Sequence, residues 1–380
     1  MIKKITIKNF KCFKNETVLD LKKTNYKLLE QNTCGKLLKG LLFVGENASG
    51  KTSAILPLKL LLDLLFKDQE VEFVLYQCLF SKDKNTELRF EFELETHTIS
   101  YFLSFSKTAI IEERLSVDDQ LIIERLGGSG KLFLGSETTL HDVDKSLLFL
   151  KRVYFSTKFE GNEILGRWFD YLKKSIYINT YSKQITTYDG ESLIVRKYME
   201  AHGAEKLNEF FKNHHFNYSI QYAKMAKAQG ISFTLEEEER KMIFFEREGL
   251  KISIPLFMES LGNQTLINIL PAILCAVERG GLLIIDEFSS GLHNKLEELL
   301  VKYIMKNSTT TQLFFVSHST NLLSNSLLRP DQIFSVEMTG NEGSRLNRFS
   351  DEQPRAAQNL EKMYLSGIFG GIPEYGTDKE

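Results

Sequence analysis

Apolar and polar residues first alternate along the chain and then merge into unbroken apolar runs. Ile5–Ile7 and Thr17–Leu21 read as a short antiparallel pair, and Gly40-Leu41-Leu42-Phe43-Val44 reads as a strand buried on both faces. The Leu-rich stretch Ala54–Phe66 predicts a helix that Pro57 should kink. Leu88–Glu95 alternates strictly, and Ile99–Phe105, Ala109–Leu115 and Leu121–Leu126 follow at hairpin spacing, which predicts an antiparallel meander. From Asn162 to Gln229 the period turns mostly helical, with Val195–Tyr198 and Ala204–Phe211 the better candidates and an apolar strand-like Ser175–Asn179 between. Strand-like stretches return at Ile231–Leu235, Lys241–Glu246 and Leu250–Leu256. A helix over Thr265–Glu278, a strand Gly281–Ile285, an amphipathic helix Leu292–Met305 and a strand Gln312–Val316 close the series. The pattern predicts an α/β core, 1–117 and 231–380, divided by a mixed, mostly helical insertion over 118–230.

Composition excludes several classes. With 42% hydrophobic and 26% charged residues the chain reads as globular, and 48 Lys+Arg against 50 Asp+Glu leave a net charge of −2. Global charge therefore argues neither for nor against nucleic-acid binding. The four cysteines form no CxxC pair, which argues against a disulfide framework or a zinc site. The Lys-interrupted amino terminus reads as a strand and not as a signal peptide, and no run of 18 uncharged apolar residues predicts a membrane span. A cytoplasmic location without membrane contact is expected.

The chemistry-bearing segments lie at the ends of the apolar runs. Gly45-Glu46-Asn47-Ala48-Ser49-Gly50-Lys51-Thr52 matches GxxxxGK[ST] directly after a buried strand and before a helix, and Ser53 continues it. Its glycines let backbone N–H groups face phosphates, Lys51 neutralises the β and γ oxygens, and the Thr52 hydroxyl ligates Mg²⁺. The run Leu282–Ile285 ends in Asp286 and Glu287, a carboxylate for the metal's water shell and one that orients an attacking water. The strand Gln312–Val316 delivers His318 to the carboxyl edge of the sheet, where an imidazole reaches a γ-phosphate. Ser260 and Gly262 start a helix and read either as an anion-binding cap or as an ordinary N-cap. Gly127–Lys131 imitates a second phosphate loop but lacks its spacing and reads as a hairpin turn. Glu236–Glu239 with Arg240-Lys241 reads as a solvated connection, and His214, His215 and Trp168 as isolated residues without a ligand role.

Together these motifs resemble the ABC-type ATPases of the SMC, RecF and OLD group. The resemblance implies an ABC-type P-loop ATPase head that binds ATP and Mg²⁺ and hydrolyses ATP as a homodimer. Ser260 and Gly262 of one copy would then face the nucleotide held by the other. It further implies Lys51, Glu287 and His318 in catalysis, Thr52 and Asp286 at the metal, Ser290 in the dimer-contacting loop, and Gln77 as the glutamine that links metal and lobes. Leu327–Ile333, Tyr364–Pro373 and Ser289–His293 resemble the ATPase subunits of anti-phage abortive-infection systems of the AbiLi and RloA kind. That resemblance implies a sensor acting on a separate, nuclease-like effector protein, since the segment after His318 is too short for a metal-dependent nuclease domain. The alternative is a RecF- or SMC-like DNA-repair ATPase. Asn263 and Asn294 depart from the pattern.

Overall fold

The computed structural model describes residues 1–135, 137–224 and 241–372. A seven-stranded sheet runs in the order Gln184–Thr187, Ile176–Asn179, Gly281–Asp286, Thr311–Val316, Gly40–Gly45, Ile333–Met338, Ser344–Arg348. Its five inner strands are parallel and the two edge strands antiparallel. An eight-stranded antiparallel sheet joins Ile2–Lys8 and Thr17–Asp20 to the meander Thr86–Leu94, His97–Phe105, Ile110–Val117, Gln120–Leu126, Ser129–Leu132 and Thr138–Leu140.

Side-chain alternation divides each apolar run between two cores. Leu41 and Phe43 pack into the first cluster with the antiparallel sheet and the helix Lys51–Phe66, while Leu42 and Val44 pack into the second with the helices Leu261–Arg279 and Asn294–Asn307. Leu282 and Ile284 against Leu283 and Ile285, and Phe314 and Val316 against Leu313 and Phe315, divide the same way. Both faces are dry, so these strands needed no polar side, and their carboxyl ends align along one edge of the sheet.

Several elements differ from the sequence reading. The first helix begins at Lys51, three residues before Ala54, and continues through Pro57 as one helix. The helix expected at Thr265 starts at Leu261, and the one expected at Leu292 starts at Asn294, where the His293 imidazole accepts the Lys295 N–H. In place of a strand over Leu250–Leu256 only Ile254–Pro255 pairs, because the chain is still turning before it, with Gly249 at φ 83° and the Leu250 N–H on the Arg247 carbonyl; a helical turn follows at Leu256–Met258. Ile231–Leu235, Glu236–Glu239 with Arg240, and Pro373 lie outside the described residues. The sheet also does not close at Val316: Ile333–Met338 and Ser344–Arg348 extend it.

The boundary drawn between residues 117 and 118 falls at the turn joining two paired strands of the antiparallel sheet. Ile176–Asn179 pairs in parallel with Gly281–Asp286, so the described residues of the 118–230 segment contribute strands to both sheets. Gly127 turns the chain at a positive φ between Gln120–Leu126 and Ser129–Leu132, as expected of a hairpin turn.

Two buried ion pairs brace this frame. The Arg125 guanidinium meets Glu113 at 3.1 Å, and both side chains are fully buried. Glu113 also accepts the N–H groups of Phe149 and Leu150 at the start of the helix Phe149–Thr157. Arg329 pairs with Asp331 and donates to the Tyr26, Leu28 and Thr24 carbonyls, which ties the Leu327–Ile333 segment to the amino-terminal region.

Candidate functional site

The Gly45–Thr52 loop is shaped by contacts that only glycine allows. Gly50 has φ 106°, and a Cβ there would lie 2.4 Å from Cys12 Sγ and 2.8 Å from Ser344 Oγ. A Cβ on Gly45 would lie 2.4 Å from the Val336 carbonyl oxygen. The Ser344 hydroxyl donates to the Ser49 carbonyl at 2.6 Å, so the late strand Ser344–Arg348 fixes the loop from behind. Asn47 and Ala48 are exposed at its tip, Glu46 and Ser53 are half-buried, and the Ser49 hydroxyl is buried without a hydrogen-bond partner among the described residues.

Lys51 is 6% exposed and bends back over the loop, donating to the carbonyls of Gly45 at 3.1 Å and Glu46 at 2.6 Å. Burial lowers its pKa, against the attraction of Glu287, Glu46 and Asp286. The Thr52 hydroxyl donates to Asp286 Oδ1 at 2.9 Å, joining the helix start to the end of the strand Gly281–Asp286. Burial raises the Asp286 pKa; the Thr52 hydrogen bond opposes this, and the neighbouring Glu287 charge adds to it.

The next residue, Glu287, takes a left-handed backbone conformation, φ 55°, at a tight reversal beyond the strand. Its carboxylate lies 3.7 Å from His318 Nε2, and both side chains are partly open to solvent. Burial and the Lys51 charge lower the His318 pKa, while Glu287 opposes them. The Ser289 hydroxyl accepts the His318 N–H at 3.1 Å and contacts the Ser317 hydroxyl at 3.1 Å, linking the two strand exits. A cavity of about 290 Å³ opens between Gly45, Glu46, Asn47 and His318. Its far wall is Tyr364, Leu365 and Ile372 of the tail. Burial and nearby Glu46 push the Tyr364 pKa up to about 12.

The structure thus brings together Lys51, Thr52, Asp286, Glu287 and His318. Ser260 stands apart from this edge as the exposed N-cap of Leu261–Arg279, accepting the Asn263 N–H at 3.3 Å. Gly262 lies against the turn after Asp286, where an added Cβ would be 3.0 Å from the Gly291 carbonyl oxygen. Ser290 in that turn donates its N–H to the Glu287 carbonyl. Asn263 has a local explanation: its amide donates to Glu259 at 2.7 Å and accepts from the Tyr218 hydroxyl at 3.3 Å. The Asn294 carbonyl accepts from Asn321. Gln77 is buried with its amide donating to the Lys84 carbonyl, beside a separate cavity of about 510 Å³. Trp168 packs edge-on against Phe92 in the first core, and His214 packs on Phe210.

One site residue escaped the sequence reading. Asn179 donates to Asp286 Oδ2 at 3.2 Å, and the Thr180 N–H donates to the Asp286 carbonyl. The available signal was a polar residue ending an apolar run, as Asp286 does; the two residues are register partners. Among the described residues no cluster of three His, Cys, Asp or Glu side chains could hold a metal. Leu261–Arg279 is long and apolar enough to cross a membrane, but 67% of that window is buried, as in a core helix.

Five parallel strands, a glycine loop leading into a helix, and an acidic strand end beside it give the fold of an ABC-type P-loop ATPase head. The family profile described as "AAA domain, putative AbiEii toxin, Type IV TA system" matches residues 41–324, and the chain belongs to that family. Among solved structures, an Smc head bound to the C-winged helix domain of ScpA matches with a TM-score of 0.51 and 12% identity, covering 91% of this chain and 97% of that one. This likeness is one of fold. The SMC head domain from Thermotoga maritima matches at 15% identity, TM-score 0.49, over 91% of this chain and 97% of that one. A search of curated proteins found no match.

Proposed function

We propose that the protein is a Mg²⁺-ATP-driven switch that hydrolyses ATP to ADP and phosphate and works as a homodimer. The observation that carries this reading is the Thr52–Asp286 hydrogen bond beside the Glu287–His318 approach, at the ends of adjacent parallel strands. The N–H groups of Gly45–Ser53 and the helix start take the phosphate oxygens. Lys51, kept in place by two carbonyls, turns from them toward the β and γ oxygens.

Mg²⁺ fits the donor set, because Thr52 and Asp286 offer hard oxygens 2.9 Å apart and such a cation takes few protein ligands beside phosphate and water. When bound, it neutralises charge building on the phosphates. Glu287 orients the attacking water and accepts its proton, and neutral His318 contacts the γ-phosphate. The Gln77 amide nitrogen donates to the Lys84 carbonyl, so a metal role would fall to its Oε1.

Ser260 and Gly262 act on the nucleotide of a second copy. Met258 and Leu261, 48% and 58% exposed, flank Ser260 and support a face that another protomer covers. The resemblance of the loop and tail motifs supports a cytoplasmic sensor subunit of an anti-phage defence system, acting on a separate nuclease-like effector.

The test is the Glu287→Gln variant. With saturating Mg²⁺-ATP it is expected to lose at least about 100-fold in turnover and to run as a dimer by light scattering, and as a monomer without ATP. Wild-type turnover together with a monomer at every ATP concentration would refute the switch. Co-purification with the product of the adjacent gene tests the effector, and recovery of DNA alone would move the role to DNA repair.

A further inference from the structure

Glu297 lies one turn inside the helix Asn294–Asn307 and is wholly buried. Its Oε1 accepts the Ser319 hydroxyl at 3.0 Å, and its Oε2 has no hydrogen-bond partner among the described residues. Burying a carboxyl with one neutral partner is costly, and the same helix fills its neighbouring inward positions with Leu300, Val301 and Ile304. Burial raises its pKa, and the Ser319 hydrogen bond opposes this. An apolar residue would pack here at lower cost, so the acceptor oxygen needs another reason to exist.

That reason lies one residue before Ser319. The segment 318–321 carries His318 and is gripped from three sides. Ser289 accepts the His318 N–H, Glu361 of the tail accepts the Thr320 hydroxyl at 2.6 Å, and the Asn294 carbonyl accepts the Asn321 amide at 3.2 Å. Glu297, a fourth holder of this segment through Ser319, is wholly buried in the helix that follows the Asp286–Gly291 turn. A side chain locked by packing fixes its partner more tightly than an exposed one does.

We propose that Glu297 is a positioning residue for His318: its carboxyl holds the Ser319 hydroxyl and so sets the main-chain course from which the imidazole reaches the terminal phosphate. The proposal rests on the reading of His318 as a γ-phosphate contact. Glutamine at 297 keeps an acceptor oxygen of the same reach, whereas leucine keeps the volume and removes the acceptor.

Steady-state ATP turnover of the full chain tests it with Glu297→Gln, Glu297→Leu, Ser319→Ala and His318→Ala. Glu297→Leu and Ser319→Ala are each expected to lower kcat about tenfold with the KM for ATP within about twofold, and Glu297→Gln to recover most of the loss. The Leu/Ala double variant should be no worse than either single one, because both remove the same bond. Should Glu297→Leu fail to fold, Ser319→Ala still decides, since its half-buried hydroxyl leaves the helix intact. Wild-type kcat in Ser319→Ala, or equal impairment in Glu297→Gln and Glu297→Leu, with His318→Ala impaired, overturns the positioning role alone. Wild-type turnover in His318→Ala removes the underlying reading of the histidine and the proposal with it.

Discussion

Replacing Lys51 by methionine keeps the length of the side chain and removes its charge. In the nucleotide-free protein two opposed effects follow. Hydrogen bonds to the Gly45 and Glu46 carbonyls, at 3.1 and 2.6 Å, are lost, but an ammonium group only 6% exposed no longer has to be kept from water. Because burial already lowers the Lys51 pKa, the two nearly offset, and the stability of the empty protein should change by no more than about 1 kcal/mol. With nucleotide the balance is one-sided. Two charge-assisted hydrogen bonds to phosphate disappear, each worth about 1.5–3 kcal/mol, and the dissociation constant for Mg²⁺-ATP should rise by about two to four orders of magnitude. Isothermal calorimetry with ATP, beside thermal denaturation without it, separates the two quantities. An unchanged dissociation constant would show that Lys51 does not meet phosphate. A collapse of the empty protein would show that its two carbonyl contacts hold the loop itself.

Three further outcomes follow from the geometry. Asn179→Ala removes the amide that orients Asp286 and should raise the Mg²⁺ concentration for half-maximal turnover about tenfold, read by Mg²⁺ titration; an unchanged midpoint would make the 3.2 Å contact incidental. Arg329→Leu leaves Asp331 buried without its cation and three carbonyls without a donor, and should lower unfolding free energy by about 3–5 kcal/mol in urea denaturation while nucleotide affinity persists in the folded fraction. His318 has its pKa lowered by burial and by Lys51, so as pH falls past its ordinary value of about 6.5 the unfolded chain takes up the proton first. Stability should therefore fall between that value and the lower folded one, and His318→Gln should lack this part of the loss; identical pH profiles in urea denaturation would contradict the shift.

The inner strands Gly40–Gly45, Gly281–Asp286 and Thr311–Val316 were legible because burial on both faces leaves an unbroken apolar run that no surface element tolerates. The loop at Gly45 was legible because its glycines and Lys51 answer local demands of backbone shape and charge at one spacing. Ile333–Met338 was less visible: Phe334 and Val336 enter one core and Ile333 the other, but Ser335 and Glu337 interrupt the run. Ser335 is accommodated because its hydroxyl finds the Phe369 carbonyl, a partner 34 residues away.

Within the candidate site the same distinction holds. Residue types and their order along the chain already named Lys51, Thr52, Asp286, Glu287 and His318, since each follows its own strand or loop and carries its chemistry locally. Pairings across the sheet could not be named that way. Asn179 meets Asp286 because Ile176–Asn179 pairs beside Gly281–Asp286, and Gln77 turns to Lys84 because the loop after the first helix folds back on itself. Glu297 reads on paper as one more acid on an amphipathic helix, and it becomes a buried anchor for Ser319 once that helix packs under the His318 turn. Local pattern carries what one segment needs from water and from its own backbone. Which polar atom meets which is settled by packing, because the partners are brought together by strand register and helix placement over hundreds of residues.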